Sequence, residues 1–194
     1  MTGMTLSATS TLRERIVEVA TRLTVETGWS GVTMARLAEA VGVSRQTVYN
    51  EVGDKAGLAE AMILGELARF LDVVNAAFDR EPGDLIAAIR GAVRDVLRMG
   101  SGNDLLKAVV SASHGADTEL LPLLTTHSNA LLDTAKAVVN ARVSSYDVRL
   151  EAAELEGAID IIVRVVLSHV MQPSGTPAST ADALAFFARR VLGV

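Results

Sequence analysis

Arg45, Gln46, Tyr49 and Asn50 are the residues whose types and spacing most invite a chemical reading. On a helix these four fall on one side, because neighbours and residues three or four apart share a face. All four can donate hydrogen bonds, and together they would form a short polar surface able to meet phosphates or base edges in a major groove. Arg45 is the strongest base-reading candidate. Its guanidinium can bind guanine O6 and N7 at once, a pairing that discriminates by roughly 1 to 3 kcal/mol.

Two short helices and a glycine turn would hold that surface outward. Thr33 can cap a first helix through its hydroxyl, and Met34, Leu37, Ala38 and Val41 follow at the spacing of one buried face. Gly42 tolerates the left-handed backbone of a sharp turn, and Val43 tucks under the corner. Ser44 then caps a second helix whose inner side includes Thr47 or Val48. This is the outline of a helix-turn-helix.

The apolar periodicity along the remaining chain predicts helix after helix and no strand, an all-α fold of about nine helices. A first helix spans about Ser10 to Thr27 with Ile16, Val19, Ala20 and Leu23 inward and Gly28 at its end, and Trp29 and Val32 pack the link. Asp54 caps a long helix from Lys55 to about Asp79. Further helices are expected at Asp84 to Met99, Asp104 to Ser113, about Glu119 to Val143, Asp147 to Met171 and Thr180 to Leu192. Gly100 to Asn103 reads as a turn, and Pro173 to Pro177 as a polar loop. The 147–171 helix is apolar on more than one face, which implies burial against its own domain and against a second surface.

Composition narrows the function classes. With no cysteine, disulfide frameworks and thiolate metal sites are excluded. Residues 1–10 have neither a basic start nor an apolar run, so a loose tail is expected there rather than a secretory signal. The most apolar segment, Ile159 to Val170, contains Asp160, Arg164 and His169 and falls short of the roughly 18 to 20 apolar residues of a membrane span. A cytoplasmic protein is expected. The net charge of −5 gives no general basic footprint, and residues 1–60 carry six Arg or Lys against seven Asp or Glu. Phosphate affinity must then come from placement. Arg13, Arg15, Arg36, Arg45 and Lys55 are expected to share one surface.

His114, His127 and His169 lack metal-ligand spacing and have no accompanying carboxylate cluster. Ser168 and His169 point about 100 degrees apart on a helix and cannot pair as nucleophile and base. No catalytic constellation is present in the sequence, no cofactor is expected, and an enzyme is not the expectation.

Residues 13–62 resemble the DNA-binding domain of the TetR family of bacterial transcriptional regulators. The resemblance is carried by Arg13-Glu-Arg-Ile16, Gly28-Trp29, Thr33-Met34, Gly42-Val43-Ser44, Thr47-Val48-Tyr49 and Asp54-Lys55 followed by Leu58. It implies an N-terminal helix-turn-helix domain over residues 11–54 and a helical ligand-binding and dimerisation domain over 55–194. It places phosphate contacts on Thr33, Tyr49 and Lys55 and base reading on Ser44, Arg45, Gln46 and Thr47, with Asn50 on the same face. The chain departs from the family's common pattern at Glu51 and Val52, where histidine and phenylalanine are frequent, and at Thr24, where a core aromatic is common.

The resemblance further implies a homodimer on a palindromic double-stranded operator, closed by the last two helices. The interface candidates are Leu155, Ile159, Ile162, Val166, Phe187 and Val191. The implied effector pocket is assigned to Phe70, Val74, Val93, Leu97, Leu105, Val109, Leu124 and Leu131, with His127 or Asn129 as a polar anchor. That lining is apolar and poor in charge, which points to a hydrophobic small molecule and no membrane partner. The expected function is a repressor that leaves its operator on binding this molecule, the long helix from Lys55 linking pocket to DNA-binding domain. A ligand-induced activator, a helical lipid or small-molecule carrier acting without DNA, and an interaction protein are the alternatives.

Overall fold

The structure is a computed structural model that describes residues 10–107 and 128–193. The described residues form α-helices with one short 3-10 turn and no strand. The chain divides into two compact units between Gly65 and Glu66.

The first unit opens with α1, Leu12–Thr27. Thr11 and Glu14 cap it reciprocally: the Glu14 amide donates to Thr11 Oγ1 at 3.2 Å, and the Thr11 amide donates to Glu14 Oε2 at 2.7 Å. The buried stripe is Ile16, Ala20 and Thr24, one turn apart each time, whereas Leu23 and Val19 are half-buried. Thr24 is admitted to the core because its hydroxyl donates to the Ala20 carbonyl at 2.8 Å, leaving no unmet polar group. The 3-10 turn Trp29–Gly31 follows, with Trp29 and Val32 both buried. Next come α2, Met34–Val41, and α3, Arg45–Val52. The fourth helix, α4, runs from Lys55 to Arg80 and crosses the division between the units without a break.

The second unit contains the later part of α4, then α5 at Leu85–Gly102, α6 at Ser128–Val143, α7 at Ala152–Met171 and α8 at Pro177–Leu192. Residues 104–107 are also helical, with Asn103 Oδ1 accepting from the Leu106 amide at 2.9 Å. One core joins α4, α5, α7 and α8 through Phe78, Ile89, Leu97, Ala158, Leu184 and Ala188. A smaller cluster, Leu132, Ile159 and Val163, seals α6 against α7.

Three boundaries differ from expectation, each for a physical reason. Gly100 makes no turn: α5 continues through it to Gly102, and a Cβ there would lie 3.2 Å from a Val170 methyl. The glycine serves close packing of α7 on α5. α7 starts at Ala152, five residues late, because the preceding segment is pinned by Tyr146, whose hydroxyl donates to the Glu81 carbonyl at 2.7 Å. α8 starts early, at Pro177, with Thr176 Oγ1 accepting from the Ser179 amide at 3.1 Å.

Candidate nucleic-acid interface

Thr33 and Ser44 are the caps the sequence leads one to expect. Thr33 Oγ1 accepts from the Arg36 amide at 3.2 Å, and Ser44 Oγ accepts from the Thr47 amide at 3.1 Å. Between them Gly42 sits at φ 78°, ψ 37°, and both its amide and that of Val43 donate to the Ala38 carbonyl at 2.9 Å. Left-handed backbone of this kind is strained for any residue with a Cβ, and only the glycine allows α2 and α3 to meet in so short a turn. Val48 is fully buried and Val52 nearly so, which anchors one side of α3.

The other side of α3 is free of packing. Ser44, Arg45, Gln46, Tyr49 and Asn50 are exposed, and Thr47 is half-buried at the edge. Arg45 makes no hydrogen bond or ion pair among the described residues. Gln46 and Asn50 are joined one turn apart, with Gln46 Nε2 donating to Asn50 Oδ1 at 2.9 Å. Ser44 and Thr47 are engaged with each other as well, their hydroxyl oxygens 2.8 Å apart. Those two hydroxyls therefore shape the start of α3, and the groups left to reach outward are Arg45, Gln46, Tyr49 and Asn50.

Three of the basic residues are held by backbone carbonyls. Arg13 donates to the Glu51 carbonyl, Arg15 Nη2 to the Val41 carbonyl at 3.2 Å, and Arg36 Nη1 to the Gly31 carbonyl at 2.6 Å. Arg13 and Arg15 thus project from α1 onto the C-terminal ends of α3 and α2, where unpaired carbonyls and the negative end of the helix dipole favour a cation. Glu51, the departure from the common pattern, gives its backbone oxygen to this brace. Lys55 lies with its ammonium 5.0 Å from the centre of the Trp29 ring.

The junction between α3 and α4 is tight. Gly53 adopts φ 73°, ψ −137°, and Asp54 Oδ1 accepts from the Gly57 amide at 2.9 Å. A Cβ on Gly57 would stand 2.4 Å from the Val52 carbonyl oxygen, an impossible contact with backbone. The sequence showed the caps and the turn, but not the bracing arginines or this glycine, whose roles depend on contacts across the fold.

The residues assigned to an effector pocket vary in burial. Val74, Val93, Leu97 and Leu105 are buried, and Phe70 packs half-buried on the same core as the first three. Leu131 is half-buried on α6. Val109, Leu124 and His127 lie outside the described residues, as does the side chain of Asn129. A depression of about 470 Å³ lies between α7 and α8, lined by Ile162, Val165, His169, Ser174, Thr180 and Phe187 among others.

The interface candidates differ in exposure. Ile159 is consumed by the cluster with Leu132 and Val163. Leu155, Ile162, Val166 and Val191 are half-buried against the unit's own core. Of the six, Phe187 alone is exposed, and the rest of the outward apolar surface on α7 and α8 is Ile161, Leu167, Met171 and Phe186. On α7, apolar residues occupy more than one face, so periodicity did not distinguish the inner set from the outer.

Among the described residues no group of three His, Asp or Glu side chains could hold a metal ion, and no helix is long and apolar enough to cross a membrane.

Known proteins agree with this geometry along most of the chain. Residues 16–62 match the bacterial regulatory proteins of the tetR family, and residues 84–190 match the bacterial tetracyclin repressor C-terminal domain. The chain is 29% identical over 180 residues to the HTH-type transcriptional regulator AlkX of Mycobacterium tuberculosis, covering 93% of this chain and 83% of that one. It is 32% identical over 130 residues to the HTH-type transcriptional repressor AcnR of Corynebacterium efficiens, 67% of this chain and 64% of that one. The crystal structure of the TetR family repressor AlkX from Dietzia sp., implicated in biodegradation of n-alkanes, superposes with a TM-score of 0.75 at 29% identity. That match covers 96% of this chain and 98% of the other. Helix-turn-helix and C-terminal domain are thus matched in one chain, which belongs to the TetR family of DNA-binding transcriptional regulators.

Proposed function

We propose that the protein is a cytoplasmic repressor that holds a palindromic operator as a homodimer and releases it on binding a hydrophobic small molecule. The observation that carries this reading is α3 itself: Val48 and Val52 are buried while Arg45, Gln46, Tyr49 and Asn50 stand exposed on one side. Arg45 supplies base discrimination, and Thr33, Tyr49 and Lys55 supply phosphate contacts. Two copies related by a two-fold axis reach successive major grooves when their α3 helices lie roughly 34 to 36 Å apart, one duplex turn. A ligand that favours a different spacing weakens operator binding by its differential affinity for the two arrangements.

Repression is favoured over activation by the relatives, since AcnR and the Dietzia AlkX are both named repressors. The hydrophobic effector is supported by the apolar character of the second unit and by the alkane connection of the Dietzia relative. Homodimerisation is supported by Ile161, Leu167, Met171, Phe186 and Phe187, which leave α7 and α8 with a surface too apolar to stay uncovered.

Selection of bound fragments from random duplex DNA tests the reading directly. A palindromic consensus is expected, with release of the selected duplex on adding medium-chain alkanes or acyl chains. Equal binding to all duplexes at low ionic strength would remove the regulator reading. A palindrome released only by charged hydrophilic metabolites would remove the effector assignment alone.

A further inference from the structure

We propose that Asn50 is a positioning residue for Gln46, and that Gln46 so held reads an adenine next to the base contacted by Arg45. The inference rests on α3 being the reading helix and adds a base identity and a cause for it.

Gln46 occupies the second position of α3 and Asn50 lies one turn later, both exposed. An unrestrained glutamine amide can turn over, presenting its oxygen and nitrogen in either order, and so distinguishes bases poorly. Here the Gln46 Nε2 donates to Asn50 Oδ1 at 2.9 Å. With Asn50 oxygen facing it, the Gln46 oxygen cannot take that place, since two acceptors would then meet. In this arrangement Asn50 sets the order of the Gln46 amide.

Counting groups gives the base. The Gln46 amide has two N–H donors and one oxygen acceptor, and the bond to Asn50 uses one donor. One N–H and the oxygen remain. Adenine offers N7 as acceptor and N6–H as donor on its major-groove edge, and these are the complements of the two groups that remain. Guanine offers N7 and O6, two acceptors, and its O6 would face the Gln46 oxygen. The opposite polarity, with Asn50 donating to Gln46, would leave both Gln46 N–H groups outward and reverse the preference to guanine. Arg45 precedes Gln46 at the helix start, the end of a recognition helix that meets base edges. Adjacent positions in each half-site are then set by adjacent residues.

The test uses the full-length protein and the duplex obtained by selection, with each half-site position replaced in turn and affinity read by fluorescence anisotropy. One adenine should appear whose replacement by guanine weakens wild-type binding roughly 5- to 100-fold. Gln46→Ala should abolish that preference. Asn50→Ala should reduce it several-fold towards the Gln46→Ala level, read as the ratio of affinities for the adenine and guanine duplexes so that any uniform loss of binding cancels. Asn50→Asp keeps an acceptor for Gln46 and should retain the adenine preference despite weaker binding overall. Equal circular dichroism melting curves for the variants exclude a folding defect at this exposed site. Full adenine preference in Asn50→Ala, or a guanine at the Gln46-dependent position, would overturn the proposal with the regulator reading intact. If neither Gln46→Ala nor Arg45→Ala altered preference at any position, α3 would not be the reading helix and both would fall.

Discussion

The guanidinium Nη2 of Arg15 lies 3.2 Å from the carbonyl oxygen of Val41, the last residue of α2. With Arg13 on the carbonyl of Glu51, this gives the ends of α2 and α3 a cationic cap from a third helix. Two exposed arginines of α1 thereby help to orient the pair.

Arg15→Ala should therefore lower the stability of the N-terminal unit by about 1 kcal/mol, a value kept small because the arginine is largely exposed. Trp29, buried and the chain's one tryptophan, reports it as a shift in the urea midpoint of its fluorescence. Arg15→Lys should recover part of the loss. An unchanged midpoint in Arg15→Ala would show that the cap contributes nothing.

Arg45 and Lys55 are expected to fail differently. Arg45→Ala should cost roughly 1 to 3 kcal/mol on the selected operator and flatten preference at one base position. Lys55→Ala should weaken all duplexes alike and reduce the salt slope by about 1. It should also cost the N-terminal unit about 0.5 to 1 kcal/mol, because the ammonium leaves the Trp29 ring. Salt titrations of operator and unrelated duplex separate the two behaviours.

Phe187 and Ile159 provide a matched pair to test the proposed dimer. Phe187→Arg places a charge on an exposed apolar surface and should shift the protein from dimer to monomer in sedimentation at micromolar concentration, with little loss of monomer stability. Ile159→Ala empties part of the Leu132–Val163 cluster and should cost roughly 2 to 5 kcal/mol of stability. Dissociation by Ile159→Ala and none by Phe187→Arg would reverse the assignment of inner and outer faces.

Asp95 should contribute to the acid limb of stability. Burial acts to raise its pKa, but hydrogen bonds from Arg94 and Arg80, and the charges behind them, outweigh burial and hold the carboxyl below the usual carboxylate range. A depressed folded-state value means stabilisation fully present above the unfolded-state pKa and lost as pH falls through the folded one. Melting curves should therefore show a steeper decline on acidification in the native protein than in Asp95→Asn. Parallel declines would assign the acid sensitivity elsewhere.

Where sequence reading succeeded and failed follows from the range of the interactions concerned. Thr33, Gly42 and Ser44 act on residues within four positions, so their types were sufficient to locate α2, the turn and α3. Gly100 carries the same turn signal as Gly42 but is occupied by Val170, seventy residues away, and continues a helix instead. Ile159 and Ile161 are equally apolar, and only the placement of Leu132 makes one interior and the other exterior. Arg45 was legible as an outward group because its freedom comes from what lies beside it on α3. Arg13 and Arg15 were not, since their acceptors belong to other helices.

Gly57 has a mechanical implication. Its missing side chain lets the first turn of α4 rest against the Val52 carbonyl at a separation no other residue permits. A side chain at position 57 would have to push the last residue of α3 away from the opening turn of α4, so the seating of one helix end on the next is decided by an absent atom.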